Sequence, residues 1–227
     1  MSEIKIMEDQ AKLKQGIVKV LSCVATISTA AAVVNPIFGL AGSLIRLVLQ
    51  KVDNEDIQNL KKEFSSINTA LDKLSQQNNS TLLQIKKNTL DSQYLPVENN
   101  LRNQFRKFME MVEAGPEHRE RKKDDFKESY SNDLDDQNLN TLYEGVVGES
   151  KVFSESILGV YLKHSQGDHD TMVKLCTHLN YIFCIGLIAL IGYTAIIGDD
   201  EEDIVDEWTK KMEHVEERMQ EALQKCK

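Results

Sequence analysis

Residues 179–197 read LNYIFCIGLIALIGYTAII, and this uncharged apolar stretch decides the fold. It is the core of a longer uncharged segment, residues 175–198, which five consecutive acidic residues follow. A helix that is apolar on every side must be covered by neighbouring helices or by lipid, because burial of its surface away from water is strongly favoured. Its length suits a membrane span as well as a buried core helix. The sequence therefore leaves two interpretations open, the central helix of a bundle and a membrane-spanning helix.

A second apolar segment covers residues 17–49, and residues 20–45 carry no charge. Its Ala, Ser and Thr content makes transfer to lipid marginal. Pro36 bends it, because proline cannot donate a backbone hydrogen bond and disfavours helix at the residue before it. Small residues in helical spacing permit close helix packing. We therefore favour a packed core for this segment, while lipid insertion stays open.

Residues 53–90 predict a long coiled-coil-like helix. Its seam residues recur at alternating spacings of three and four, which is a heptad pattern. They are Ile57, Leu60, Phe64, Ile67, Leu71, Leu74, Asn78, Thr81 and Ile85. Such a seam packs within its own chain, or it joins a second copy or another helical protein.

Further amphipathic helices are predicted after Pro96, over residues 149–163 and over residues 204–219. Residues 115–140 are rich in charge and predict a charged connector with a surface loop at 133–140. Only 3 prolines and 11 glycines occur in 227 residues, too few for many short strands and tight turns. We therefore predict a single all-α domain over residues 1–227, an elongated antiparallel helical bundle with long coiled-coil-like helices and two apolar helical segments.

Composition and motifs exclude several classes of function. The net charge is -9 and basic residues are interleaved with acidic ones, so a nucleic-acid partner is not expected. The four cysteines form no CxxC pair and suit buried positions as small hydrophobic residues. The sequence contains no GxSxG, HExxH or dinucleotide-binding motif. We predict no catalytic residues, no cofactor, no metal site and no enzymatic activity.

One stretch carries side chains that could bind a metal. It contains His164, Asp168, His169 and Asp170. Their spacing matches no strong metal signature, and Asp168 is an equally good N-cap for the helix that follows. We therefore predict a turn and a helix cap here.

Two other features resemble functional sites only superficially. Residues 145–151 read GVVGESK and lack the Gly-Lys-Ser/Thr of a phosphate loop, so we predict a turn between helices. His178 and Asn180 lie in the apolar segment 175–198. We interpret both as core polar groups with satisfied hydrogen bonds.

Long strings of the sequence resemble the rapunzel family of bony-fish proteins. These strings lie at residues 18–46, 82–94, 97–118 and 179–202, and the likeness covers nearly the whole chain. The resemblance implies a small vertebrate protein linked to fin and skeletal growth, without a known catalytic activity or known site residues. Some relatives are described as membrane proteins, and the family is similar to cephalotoxin-like sequences.

These observations predict a non-enzymatic, membrane-associating protein that shields or inserts its two apolar helical segments. A lipid membrane is the expected partner, with a homo-oligomer or a helical protein as a further one. We expect it at the cytoplasmic side of a membrane or at an intracellular membrane. The alternative is a soluble cytoplasmic coiled-coil protein that acts through protein contacts in growth signalling.

Overall fold

The computed structural model describes residues 94–227 and five separate helical positions before them, Gln58, Lys62, Ser65, Thr69 and Lys73. Residues 94–227 form six α-helices and, within that range, no strand. The helices are α1 (Tyr94–Glu113), α2 (Arg119–Asn132), α3 (Gln137–Val147), α4 (Ile157–Ser165), α5 (His169–Ile197) and α6 (Glu201–Gln224). The all-α prediction is confirmed. The apolar segment 17–49 and the predicted seam of helix 53–90 lie outside the described residues.

The apolar helix α5 is the centre of the described bundle. Every residue from His178 to Gly192 is buried. Helices α1, α3, α4 and α6 all pack against it. Its burial follows from its composition. Removing apolar surface from water stabilises a fold by about 25 cal/mol per Å², and this is the dominant favourable term in folding.

The helices that cover α5 bury one stripe each. In α1 the predicted apolar face is buried, from Val97 through Phe105 to Val112. In α6 the predicted face is buried from Trp208 through Met219. The 3.6-residue period of the apolar positions therefore predicted these two faces correctly.

Two glycines of α5 allow α1 and α3 to approach closely. A Cβ at Gly192 would overlap the ring of Phe108, and a Cβ at Gly186 would overlap Leu139 and crowd Leu101. Helices α1 and α5 run in the same direction. Gly186 of α5 lies against Leu101 of α1, and Gly192, further along α5, lies against Phe108, further along α1.

The predicted helix over residues 149–163 is wrong at its amino-terminal end. Helix α3 ends at Gly148, whose φ of 87° is left-handed, and α4 begins only at Ile157. Between them the Ser150 hydroxyl accepts hydrogen bonds from the backbone N–H groups of Val152 (3.0 Å) and Phe153 (3.3 Å). These local bonds compete with helix formation, which an apolar period does not reveal.

The charged connector predicted at 115–140 is largely helical. Helix α2 occupies Arg119–Asn132, and α3 begins at Gln137, so the surface loop predicted at 133–140 is wrong after residue 136. One of the amides that suggested a loop instead bonds to another helix: Asn100 Nδ2 of α1 donates to Asn138 Oδ1 at 3.0 Å, and Asn138 is 3% exposed. Since Leu139 is 1% exposed, this segment contributes to the core.

We predict that Gly192→Ala destabilises the fold. The added Cβ meets the fully buried Phe108 ring, and overpacking of this kind costs about 1–3 kcal/mol. The better helix propensity of alanine offsets about 1 kcal/mol. Urea unfolding followed by circular dichroism should give a net loss of about 1 kcal/mol, the middle of a range from about 0 to 2.

Gly115→Ala is the matched control, because the same methyl group there meets only the flexible carboxylate of Glu117. Its unfolding free energy should stay within about 0.5 kcal/mol of the wild type. Equal effects of the two substitutions would contradict close packing of α1 on α5.

Candidate functional site

A carboxylate and an imidazole are buried together where the amino-terminal halves of α1 and α5 meet. Glu98 on α1 and His178 on α5 are 3% and 2% exposed. Their Oε2 and Nε2 atoms lie 3.4 Å apart. The other carboxylate oxygen of Glu98 accepts from Arg102 Nε at 3.0 Å. Arg102 is about one-third exposed, so its guanidinium connects the buried carboxylate with solvent.

Aromatic side chains surround this pair. The guanidinium of Arg102 lies 5.3 Å from the centre of the Tyr181 ring, within the range of a cation–π interaction. Arg102 Nη1 also lies 3.5 Å from the Tyr181 hydroxyl. The His178 and Tyr181 rings have their centres 6.4 Å apart.

Two buried phenols lie beside this pair. Tyr94 and Tyr161 are both 0% exposed. Burial, the neighbouring Tyr161 and the charge of Glu98 raise the pKa of Tyr94 well above its ordinary value. Burial is also the main cause that raises the pKa of Tyr161. Both phenols therefore stay protonated at every physiological pH.

The polar cluster, defined by Tyr94, Glu98, Arg102, His178 and Tyr181, fixes how α1 sits on α5. Removing a carboxylate from water is costly unless donors surround it, and only one register of the two helices brings the imidazole to this carboxylate. The arrangement can hold protons and charges but contains no activated nucleophile. The polar cluster can therefore hold α1 to α5 in one register.

Thiol chemistry is disfavoured beside the cluster as well. Cys176 is completely buried on α5. Burial, with a smaller contribution from Cys226, raises the pKa of the Cys176 thiol to about 12. A thiol with this pKa carries almost no thiolate at neutral pH and is a poor nucleophile.

The histidine and aspartate stretch before α5 acts as a helix start. The Asp168 carboxylate accepts from Thr171 N at 2.7 Å, so the predicted N-cap is confirmed. A hydrogen bond from the Thr171 side chain, followed by this backbone bond, lowers the pKa of Asp168. His169 and Asp170 are exposed and His164 is half-buried. Within residues 94–227 no three His, Cys, Asp or Glu side chains are grouped to hold a metal ion.

The glycine-containing stretch 145–151 ends α3, as the predicted turn requires. Gly145 lies inside α3, where the Phe153 ring packs against it. Gly148 caps the helix in the left-handed conformation, and its N–H donates to Glu144 O at 3.0 Å.

Of the two polar residues predicted as satisfied core groups, one prediction is confirmed and one is wrong. His178 lies beside Glu98. Asn180 is 4% exposed, and neither amide atom has a hydrogen-bond partner among the residues that can be described. Sequence reasoning missed Glu98, although it is in phase with the apolar face of α1, three residues before Leu101 and seven before Phe105.

We predict that Glu98→Gln weakens the fold by about 3–5 kcal/mol, because the substitution removes the charge that Arg102 and His178 face inside the core. Urea unfolding at pH 7 measures the loss. Glu155→Gln is the control: its carboxylate binds Lys163 at 2.8 Å on the surface, and exposed pairs contribute about 1 kcal/mol or less. A loss no larger than that of the control would show that the buried pair does not hold α1 to α5.

We predict that the fold is lost in alkali because the buried tyrosines must ionise when the chain unfolds. Tyr161 has a raised pKa in the folded state, so its contribution is complete below the unfolded pKa of about 10 and falls above it. Each such tyrosine removes about 1.4 kcal/mol of stability per pH unit above 10.

Tyrosinate absorbance and circular dichroism should therefore change together between pH 10 and 12. Tyr161→Phe should make the loss of stability with pH less steep. Tyr143→Phe should change that slope less, because Tyr143 is only partly buried. Titration of all tyrosines before any loss of helix would contradict the burial of Tyr94 and Tyr161.

Comparison with known proteins gives the family. The family described as cephalotoxin-like middle helical domain matches residues 50–227. The chain is also 62% identical to protein rapunzel of Danio rerio over 227 residues, which is the full length of both chains. No solved structure matches the chain. The chain therefore belongs to the rapunzel family and carries its cephalotoxin-like helical region over residues 50–227.

Proposed function

We propose that this protein is a non-enzymatic, membrane-associating helical bundle that keeps α5 covered until it meets lipid. One observation carries the proposal: α5 is both the buried core helix and a helix of membrane-spanning length and composition. It has 29 residues, and its most apolar window has a mean hydropathy of 2.0, with 78% of that window buried. The same helix therefore suits two environments, a protein core and a bilayer.

The positions of the polar groups in α5 support this proposal. His178 and Asn180 lie near its amino-terminal end, and only Thr194 is a buried polar residue further along. The Thr194 hydroxyl donates to Leu190 O at 2.9 Å, so it is satisfied within the helix itself. An inserted α5 would place His178 and Asn180 near the lipid headgroups, where water can solvate them.

A buried polar group of α5 makes its packed position in the bundle less favourable. The Asn180 amide is buried without a partner among the described residues, and such a group costs about 1–3 kcal/mol. Hydration of this amide at a membrane surface would recover that energy. A change of state requires only that lipid binds the released form more favourably than the packed form.

The charges on either side of α5 suggest an orientation. Lys163 and Lys174 precede the apolar span, and residues 199–203 after it are all acidic. Basic residues favour the cytoplasmic side of a span. A spanning α5 would therefore keep its amino-terminal end in the cytoplasm. We place the protein at the cytoplasmic side of a membrane or on an intracellular membrane, and in fin and skeletal growth on the strength of the family resemblance.

A second candidate function rests on the burial of α5. A bundle that never opens would be a soluble cytoplasmic protein that acts through contacts with other helical proteins in growth signalling. The buried window of α5 favours this alternative. The two candidates differ in whether α5 is ever exposed to lipid.

We expect the full chain to float with phosphatidylcholine vesicles and to resist extraction by alkaline carbonate when expressed in cells. Gly192→Ala should raise the vesicle partition coefficient about fivefold, because it loosens α1 on α5 by about 1 kcal/mol net. Gly115→Ala is the control and should bind like the wild type. Flotation of labelled vesicles measures all three proteins.

Complete recovery of the wild type and of Gly192→Ala in the soluble fraction would contradict membrane association. It would favour the soluble alternative. Binding without leakage of an entrapped dye would indicate surface association in place of a pore.

A further inference from the structure

A groove of about 210 Å³ lies where α3, α4 and α6 meet, on elements outside the polar cluster. Its floor is apolar and includes Val146 of α3, Leu158 and Leu162 of α4, and Ala222 of α6. The space is smaller than the roughly 300–1,000 Å³ typical of sites for drug-sized ligands. It suits a small polar headgroup with the first carbons of an apolar chain.

Positive charge lines one side of this groove. Arg218 of α6 and Lys225, which directly follows the end of α6 at Gln224, both line it, together with the carboxylate of Glu221. In a chain with a net charge of -9, two cations beside an apolar floor are an unusual combination. The groove also includes Ser156 and Gly159 at the amino-terminal end of α4, which carries the partial positive charge of a helix start.

The guanidinium of Arg218 has N–H donors that make no hydrogen bond within the described part of the chain. Its Nη1 donates to Glu221 Oε2 at 3.1 Å. Its Nε is buried and makes no hydrogen bond within the described part of the chain. The Glu221 side chain is 55% exposed and can turn towards solvent when a stronger acceptor arrives. A planar guanidinium binds phosphate oxygens through two parallel bonds, which a single carboxylate does not saturate.

We propose that this groove binds the phosphate headgroup of an anionic phospholipid in a bilayer, with Arg218 and Lys225 as the phosphate ligands and the apolar floor in contact with the start of an acyl chain. The inference rests on the proposed membrane function and names the lipid class. It commits to lipid because the floor beside the cations is apolar, and a free phosphate would leave that floor in water.

The test compares flotation with vesicles of phosphatidylcholine alone and vesicles that also contain phosphatidic acid. The wild type should bind the anionic vesicles more tightly, by about tenfold or more, since each cation near an anionic surface contributes appreciably. The double substitution Arg218→Gln and Lys225→Gln should abolish this preference. Arg218→Lys keeps the charge without the planar fork and should retain only part of it.

The control removes two positive charges from elsewhere, Arg106→Gln together with Lys210→Gln, and should keep the preference. Equal loss in the control would reduce the effect to net charge and overturn the site. Circular dichroism of each variant establishes that it is folded. If the double variant does not fold, Lys225→Gln alone carries the test, and an unchanged preference for anionic vesicles overturns the site.

A second measurement separates this site from the membrane proposal. Short-chain dihexanoyl phosphatidic acid should raise the melting temperature of the wild type and not that of the double variant, while inorganic phosphate at equal concentration should not. A shift with both ligands would mean a site for free phosphate and overturn the lipid assignment. Binding of neutral and anionic vesicles with equal affinity, without a shift, would overturn the site and leave membrane association standing.

Discussion

The need to cover α5 governs the rest of the described structure. Fifteen consecutive positions from His178 to Gly192 are buried, so neither side of this helix can face water. Each covering helix has a single apolar stripe and can shield only part of the circumference. Helices α1, α3, α4 and α6 must therefore surround α5 together, and each of them contacts it.

Close packing around α5 depends on small residues as much as on large ones. Gly186 and Gly192 leave room for Leu139 and Phe108, so neighbouring helices come nearer than leucine or isoleucine would allow at those positions. Phe108 in turn meets Phe126 of α2 edge to face, with ring centres 5.6 Å apart. The absence of a side chain at Gly192 thus positions an aromatic contact between α1 and α2. Interiors packed in this way respond strongly to a single added methyl group.

The polar cluster gives the apolar interface a defined register. Apolar stripes alone permit helices to slide by a turn, because one leucine replaces another at small cost. Glu98 does not permit this, since a shift of one turn would leave a carboxylate in the core without His178. The polar cluster lies in the part of α5 that carries its buried polar residues. The contacts that fix the register of α1 on α5 are therefore made by the least apolar part of the helix. The lipid groove proposed at Arg218 lies on other elements, so headgroup binding is separate from the polar cluster that holds α1 to α5.

The sequence by itself determined the all-α class, the apolar character of residues 175–198, the buried faces of α1 and α6, the N-cap at Asp168 and the family, because these depend on local periodicity, capping chemistry and long identical strings. It did not determine the start of α4, the helical nature of residues 137–140, the lack of a partner for Asn180 among the described residues or the role of Glu98. The role of Glu98 and the helical nature of residues 137–140 depend on contacts between residues far apart in the chain: Glu98 meets His178 across 80 positions, and Asn100 meets Asn138 across 38. The start of α4 depends on the local hydrogen bonds that the Ser150 hydroxyl accepts, which an apolar period does not reveal. Only the tertiary structure decides which buried polar group finds a partner, because a hydrogen bond requires two atoms at one place and a sequence pattern specifies only the face on which each residue lies.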